Sequence, residues 1–148
     1  MDISLTYLPV VEADRDWLFA LHRVFLGPYI EQIFGWEEER QRRLFNQKFI
    51  PGNGSWIFTD QIRVGVVSYQ IYPEYFYLEK IEIYPELQRQ GYGSQMIADI
   101  ISQADEKSLP VELQVFKINP AIALYERLGF ARIGETDFHF QLRRSLEA

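Results

Sequence analysis

The pattern of apolar and polar residues predicts that the chain opens with one strand and two helices. Apolar and polar residues alternate from Asp2 onward, which is typical of a half-buried strand over Ile3–Leu8. Apolar residues then recur at helical spacing over residues 11–26, and Gly27-Pro28 is expected to end this helix. A second helix is predicted over Trp36–Phe49.

The rest of the chain predicts a meander of strands and then two further strand and helix passages. Strands over Ser55–Thr59, Ile62–Ile71 and 75–84 are separated by short turns and should pair antiparallel. One helical face follows, with apolar residues at Met96, Ile97, Ile100, Ile101 and Ala104. The last elements are predicted as a strand over Val111–Phe116, a helix over Pro120–Leu128 and strands over Phe130–Ile133 and Thr136–Leu142.

This order of elements, β-α-α-β-β-β-α-β-α-β-β, predicts an α/β (α+β) fold. We expect a mixed, mostly antiparallel central sheet of about seven strands flanked by four helices. The 148 residues show no repeat, linker or low-complexity segment, so a single domain over residues 1–148 is predicted.

The charge of the chain restricts its partners. The formal net charge is −6, with an isoelectric point near 5.0. Nucleic acid is therefore not expected as a partner, because phosphate backbones are bound by clustered Lys and Arg. An acidic protein is compatible with cationic substrates.

Residue types that are rare or missing exclude several kinds of site. There is no cysteine, so disulfides, a thiolate nucleophile and cysteine-based metal sites are excluded, and with two histidines no metal is expected. No apolar run is long enough to span a membrane, and no secretory signal is visible at the start. We therefore expect a cytoplasmic protein without a membrane partner.

A glycine-rich turn joins the strand at 75–84 to the helix that contains Met96. Gly91 and Gly93 lack a Cβ atom, so an anion can approach their backbone closely. The first N–H groups of the helix and the cation of Arg89 lie in the same stretch. The turn therefore predicts either a phosphate cradle or simply the start of a helix.

Two nucleotide-binding patterns fail on this turn. A phosphate P-loop requires Gly-Lys-Ser/Thr after its first glycine, and that sequence is absent. A dinucleotide fingerprint requires a third glycine three residues after Gly93, where Met96 stands. A nucleotide-binding module is therefore disfavoured.

A second motif makes a different pattern complete. Asn119-Pro120-Ala121-Ile122-Ala123-Leu124-Tyr125-Glu126 is followed by Leu128-Gly129-Phe130. Together with Gln88-x-x-Gly91-x-Gly93, it resembles the two acyl-CoA motifs of the GCN5-related N-acetyltransferase (GNAT) family. The predicted order of elements agrees with that family over nearly the whole chain.

The resemblance implies that the anion is the pyrophosphate of acetyl-CoA, held by backbone N–H groups of the glycine turn. It also implies that the strand ending at Ile81-Glu82-Ile83 pairs with the pantetheine arm, in a gap beside the strand over Val111–Phe116. The implied cofactor-binding residues are Ile81, Ile83, Gln88, Arg89, Gln90, Gly91, Tyr92, Gly93, Ser94 and Asn119.

The chemistry implied by the resemblance needs a base and an acid. An alkyl ammonium has a pKa of about 10.4, so a proton must leave before the nitrogen attacks the thioester. Glu79 and Glu82 are the candidate bases, with Glu79 preferred; being three residues apart on a strand, they point to opposite faces. The family places its general acid at Tyr125, which would protonate the departing thiolate. Without the motif, Tyr125 would be interpreted as a core residue.

We therefore expect an acetyl-CoA-dependent N-acetyltransferase that acts on a primary amine by direct attack in a ternary complex. The alternative is a non-catalytic acyl-CoA-binding or sensing domain. The amine, a small molecule or a peptide, is not defined by the sequence, and a homodimer is compatible with the resemblance.

The histidines and one acidic aromatic region have weaker interpretations. His22 and His139 are both interpreted as residues outside the chemistry, His22 at the surface or the edge of the core. Between the first two helices, Tyr29, Phe34 and Trp36 alternate with acids in a way that could hold a cationic amine, or could be ordinary packing. The acids of that region are Glu31, Glu37 and Glu38.

Overall fold

The computed structural model describes residues 3–146, so Asp2, which begins the alternating pattern before the predicted first strand, lies outside the described residues. The element order is the predicted one, with two short 3-10 turns added at Glu12–Asp14 and Pro85–Leu87. The strands are β1 Thr6–Pro9, β2 Ser55–Thr59, β3 Ile62–Ile71, β4 Phe76–Ile83, β5 Val111–Phe116, β6 Ala131–Glu135 and β7 His139–Arg144. The helices are α1 Arg15–Ile33, α2 Glu38–Lys48, α3 Tyr92–Glu106 and α4 Ile122–Arg127.

The seven strands form a sheet in the order β1-β2-β3-β4-β5-β7-β6. Antiparallel pairing joins β1 to β2, β2 to β3, β5 to β7 and β6 to β7. Parallel pairing joins β4 to β5, over Phe76–Leu78 and Val111–Leu113. The predicted mixed, mostly antiparallel sheet is therefore confirmed.

Two compact units share these elements. One contains residues 3–68 and 81–92, and its core includes Leu18, Phe19 and Phe45 from the first two helices packed with Trp56 and Val66. The other contains residues 69–80 and 93–146, and its fully buried side chains include Phe76, Ile100, Val111 and Leu142. No helix in the described part of the chain is long and apolar enough to cross a membrane.

Helix α1 passes through Gly27-Pro28, where the sequence predicted a break. Pro28 has no N–H, so the carbonyl of Val24 lacks its usual helical donor. The residue before a proline normally leaves the helical region because its Cβ meets the proline ring, but Gly27 has no Cβ. Ile30, beyond the proline, is buried and holds the last turns of the helix against the core.

Strand β1 also differs from its prediction. It begins at Thr6 rather than Ile3, and it extends one residue beyond the predicted end at Leu8, to Pro9, which is paired with Ser55. A proline is tolerated here because β1 is an edge strand, where a missing N–H breaks no ladder on the open side.

A close backbone contact joins β3 to β4 within the first unit. A Cβ atom added to Gly65 would lie 2.1 Å from the carbonyl oxygen of Glu82 and 3.0 Å from the Cα of Ile83. The pairing of β2 with β3 shifts next to this glycine, because Ile57 pairs with Gly65 while Phe58 pairs with Arg63. Only glycine therefore allows this approach, which fixes the backbone that carries Glu82.

We predict that Gly65→Ala lowers the free energy of unfolding by about 3 kcal/mol, because the new methyl group overlaps backbone that cannot move like a side chain. Gly54→Ala is the matched control: its Cβ would meet the Val67 carbonyl oxygen at 3.4 Å, an ordinary contact. The control should change the free energy by less than about 1 kcal/mol. Urea unfolding measures both, and equal values for the two variants would contradict the prediction.

Candidate functional site

The loop between β4 and α3 is fastened to the end of β4 by Gln88. The side-chain Nε2 of Gln88 donates to the carbonyl oxygen of Ile83 at 3.0 Å, and its backbone N–H donates to Pro85 at 3.3 Å. The N–H of Gln88 is therefore already used inside the loop. Gln88 orients the loop rather than supplying a backbone donor to it.

The residues that follow Gln88 leave backbone donors available. Arg89 and Gly91 both have positive φ angles, 64° and 91°, which turn the chain sharply before α3. Within residues 3–146, neither Arg89 nor Gly91 donates its backbone N–H to another backbone group. Helix α3 then begins at Tyr92, and its first N–H groups lack intrahelical acceptors by geometry.

The electrostatic surroundings of this loop suit an anion. The first turn of α3, which includes Gly93 and Ser94, contains no acidic residue, so nothing cancels the positive end of the helix dipole there. Arg89 is exposed and makes no ion pair within the described part of the chain. The donor set, the helix start and the cation together fit a phosphate or pyrophosphate group.

The two glutamates of β4 lie in opposite environments. Glu79 is exposed, and its Oε1 accepts a hydrogen bond from Gln70 at 3.3 Å. Glu82 is only 2% exposed, the one buried charged residue in the described part of the chain. The structure therefore distinguishes a surface carboxylate from a buried one, which the sequence could not do.

Buried Glu82 is accompanied by a residue that was not expected to take part in the chemistry. The Nδ1 atom of His22 on α1 lies 3.4 Å from Oε2 of Glu82. This pair could hardly be predicted from the sequence, because the two residues are far apart along the chain and His22 lies next to Leu21 in an ordinary amphipathic helix. The prediction that places His22 at the edge of the core agrees with a side chain that is 17% exposed.

Tyr125 lies in the second unit, on the short helix α4. Its side chain is 8% exposed and meets the ring of Phe130 edge-on, with ring centroids 5.7 Å apart. Burial raises the pKa of Tyr125 to about 12. Its hydroxyl has no hydrogen-bond partner among the residues described.

Asn119 precedes α4 and caps a turn rather than the helix itself. Its Oδ1 accepts a hydrogen bond from the N–H of Ala121 at 2.8 Å, whereas α4 begins at Ile122. Asn119, a typical N-cap residue just before the helix predicted from Pro120, therefore lies two residues before the observed N-cap at Ala121. Strand β5 leads into this turn, and both β4 and β5 continue beyond their paired stretch, to Ile83 and to Phe116.

Two of the three acids proposed to hold a cationic amine are bound within the protein. An oxygen of Glu31 accepts from the backbone N–H of Trp36 at 2.6 Å. Glu38 accepts from the indole N–H of Trp36 at 2.8 Å and from Arg23, and these hydrogen bonds lower the pKa of Glu38. The interpretation as ordinary packing and solvated charge therefore accounts for these contacts.

The second histidine lies at the start of β7. The ring of His139 stacks on Phe116 with centroids 4.3 Å apart, and burial lowers the pKa of His139. Among residues 3–146 there is no group of three or more His, Cys, Asp or Glu side chains that could hold a metal ion.

Comparison with known proteins found a family match for most of the chain. A family model described as the acetyltransferase (GNAT) family matches residues 17–130. The comparison with curated proteins found no match. The family match spans both motifs identified in the sequence.

Solved structures share the fold at low sequence identity. PaiA N-acetyltransferase from Thermoplasma acidophilum, in complex with coenzyme A, is similar at a TM-score of 0.77 and 15% identity, covering 97% of this chain and 100% of that one. An acetyltransferase from Thermus thermophilus has a TM-score of 0.73 at 20% identity, and the match covers 97% of this chain and 98% of that one. The ribosomal-protein-S18-alanine N-acetyltransferase from Escherichia coli has a TM-score of 0.64 at 21% identity, and the match covers 98% of this chain and 97% of that one.

The raised pKa of Tyr125 predicts a specific loss of stability at alkaline pH. A pKa near 12 in the folded state and about 10 in the unfolded state means that the stabilisation is complete below about pH 10 and is lost as the pH rises towards 12. At pH 11, the free energy of unfolding of wild type should have fallen by about 1.4 kcal/mol through ionisation of this tyrosine, and Tyr125→Phe should not show that decrease. Urea unfolding between about pH 8 and 11 measures this difference.

Exposed Tyr72 supplies the control for this measurement. Tyr72→Phe removes a hydroxyl from a side chain that is 43% exposed, so its stability profile should stay parallel to that of wild type. A Tyr125→Phe profile that is also parallel to wild type would contradict the buried, neutral state of Tyr125.

Proposed function

The chain belongs to the acetyltransferase (GNAT) family, and from that premise we propose that it transfers an acetyl group from acetyl-CoA to a primary amine. The observation that carries this proposal is the loop before α3. There, the available backbone N–H groups of Arg89 and Gly91, a helix start without acids and the exposed side chain of Arg89 occur together. Such a set of donors suits the pyrophosphate of coenzyme A.

We assign the binding of coenzyme A to particular parts of the loop. The N–H groups from Arg89 to Ser94 would hold the pyrophosphate, and the guanidinium of Arg89 would add a forked cationic donor. Gln88 would act indirectly, because its amide is bound to Ile83. The backbone of β4 at Ile81 and Ile83 would receive the amide-bearing pantetheine arm as an added strand, with Asn119 as a further contact.

Glu82 is the base that we favour. Bond formation between the amine nitrogen and the acetyl carbonyl carbon breaks the carbon–sulfur bond, and the electron pair leaves on sulfur. The proton released from the amine would go to Glu82, because a buried carboxylate is not held by water or by a strong cation. Glu79 is exposed and already hydrogen-bonded to Gln70, so it has less reason to serve.

Tyr125 would act as a hydrogen-bond donor more than as a full acid. With a pKa near 12 against about 8.5 for a thiol, complete proton transfer to the thiolate is uphill by about 3.5 units, or roughly 5 kcal/mol. A neutral phenol in an apolar setting still donates a strong hydrogen bond to a developing anion. The hydroxyl has no internal hydrogen-bond partner among the residues described, so it is available for that purpose.

The same pKa favours one alternative function. A chain whose tyrosine is a poor acid could bind acyl-CoA without turnover, as a sensing domain. A thiol-release screen over polyamines, amino sugars, amino acids and peptide N-termini separates the two functions. The Escherichia coli neighbour is named for an N-terminal alanine, so the peptide set should include one. Thiol release with any acceptor supports the enzyme, and binding without release supports the sensor.

We predict that Arg89→Ala weakens acetyl-CoA binding roughly 10- to 100-fold, because a charge-assisted contact to phosphate is lost. Arg40→Ala is the control, since Arg40 is an exposed arginine on α2 with no ion pair in the described part of the chain. Isothermal titration calorimetry measures both affinities. Equal affinities for wild type and Arg89→Ala would remove Arg89 from the binding site.

We predict that Tyr125→Phe lowers kcat roughly 10- to 100-fold while acetyl-CoA affinity stays within about twofold of wild type, because the hydrogen bond forms mainly as the thiolate departs. Single-turnover thiol release and calorimetry measure the two quantities. Equal losses in kcat and in the affinity for acetyl-CoA would make Tyr125 a structural residue.

A further inference from the structure

The buried carboxylate of Glu82 requires a compensating group, and the described residues provide one. Removing an ionised carboxylate from water is costly unless a partner offsets it. Within residues 3–146, the ion pair with His22 is the only one that Glu82 makes. The Nδ1–Oε2 distance of 3.4 Å brings the two groups together without the alignment of a hydrogen bond.

Aromatic packing holds the imidazole of His22 in place. Its ring lies 5.8 Å from the ring of Phe45, which in turn packs against Phe19 and Phe49. Phe45 and Phe19 belong to the buried core of the first unit. His22 is therefore fixed by rigid neighbours on α1 and α2 instead of moving as a surface side chain.

Two atoms of the pair remain unsatisfied. Nδ1 of His22 and Oε1 of Glu82 are the only buried side-chain polar atoms without a hydrogen-bond partner among the residues described. Buried polar atoms are nearly always paired, and exceptions concentrate where chemistry needs them. Both exceptions in this protein occur in the same pair of side chains.

We propose that His22 is a positioning residue for acetyl transfer, which holds Oε2 of Glu82 and leaves Oε1 to receive the proton of the acceptor amine. This inference rests on the proposed function. One proton moves from the amine nitrogen to Oε1 as the nitrogen–carbon bond forms and the thiolate departs. His22 stabilises the ionised carboxylate before the transfer and fixes which oxygen is available.

Several other charged groups of the same unit are occupied elsewhere. Asp14 accepts from the indole of Trp56 at 3.0 Å, and Arg63 on β3 lies over the ring of Trp56 at 4.1 Å and that of Tyr84 at 5.8 Å.

The charged groups of the first two helices have partners of their own. On α2, Arg42 pairs with Asp16 of α1 and lies over Phe19. On α1 itself, Arg23 pairs with Glu38. None of these groups forms an ion pair with Glu82.

Three substitutions at His22 separate positioning from packing. The amide nitrogen of Asn can occupy the place of Nδ1, whereas that of Gln corresponds to Nε2 and Leu has no donor. We expect His22→Leu and His22→Gln to lower kcat roughly 100-fold and His22→Asn less than tenfold, with KM for acetyl-CoA unchanged in all three. Equal losses in all three, or none, would overturn the proposal.

An NMR measurement without substrate distinguishes failure of this inference from failure of the proposed function. The chain has two histidines, so NMR should show two imidazole spin systems, with His139 as an internal control. In Glu82→Gln, the ring resonances of His22 should move at constant pH, because the carboxylate 3.4 Å from Nδ1 is lost, and those of His139 should not change. An unmoved His22 would overturn the pairing even if acetyl transfer is found; a moved His22 without any acceptor would overturn only the function.

Discussion

The close approach of β3 to β4 at Gly65 is the constraint on which the proposed chemistry depends. Because no Cβ stands between the strands, the backbone of Glu82 is held within a distance that any other residue would prevent. That backbone carries a carboxylate that is 2% exposed and faces His22. A contact between main chains thus determines the environment of a side chain, and through it the proposed path of the proton.

The loop after β4 is attached to the end of the same strand. Gln88 fastens the loop to the carbonyl of Ile83, so the end of β4 also determines where the anion-binding N–H groups begin. The proposed base and the proposed cradle therefore depend on one stretch of chain over Glu82–Gln88. A change that displaces the end of β4 should affect both binding and proton transfer.

Local sequence patterns predicted the fold, and they pointed to two parts of the candidate site. The glycine turn before α3 and the motif around Tyr125 are contiguous in sequence, so their spacing and the strands around them could be interpreted directly. Membership of the GNAT family and the order of strands and helices were confirmed. Contacts over long distances could not be predicted: period-two alternation separates Glu79 from Glu82 but does not tell which one is buried. The pairing of Glu82 with His22 depends on helix packing, and the passage of α1 through Pro28 depends on Gly27 before it.

The left-handed conformation of Arg89 has a consequence for how this protein can vary. With φ at 64°, an L-amino acid there carries about 1 kcal/mol or more of backbone strain that glycine would not have. Substitution by glycine would therefore favour the folded state and remove the exposed cation in the same step. At this position, thermal robustness alone would favour glycine, whereas the proposed contact with a phosphate requires the arginine.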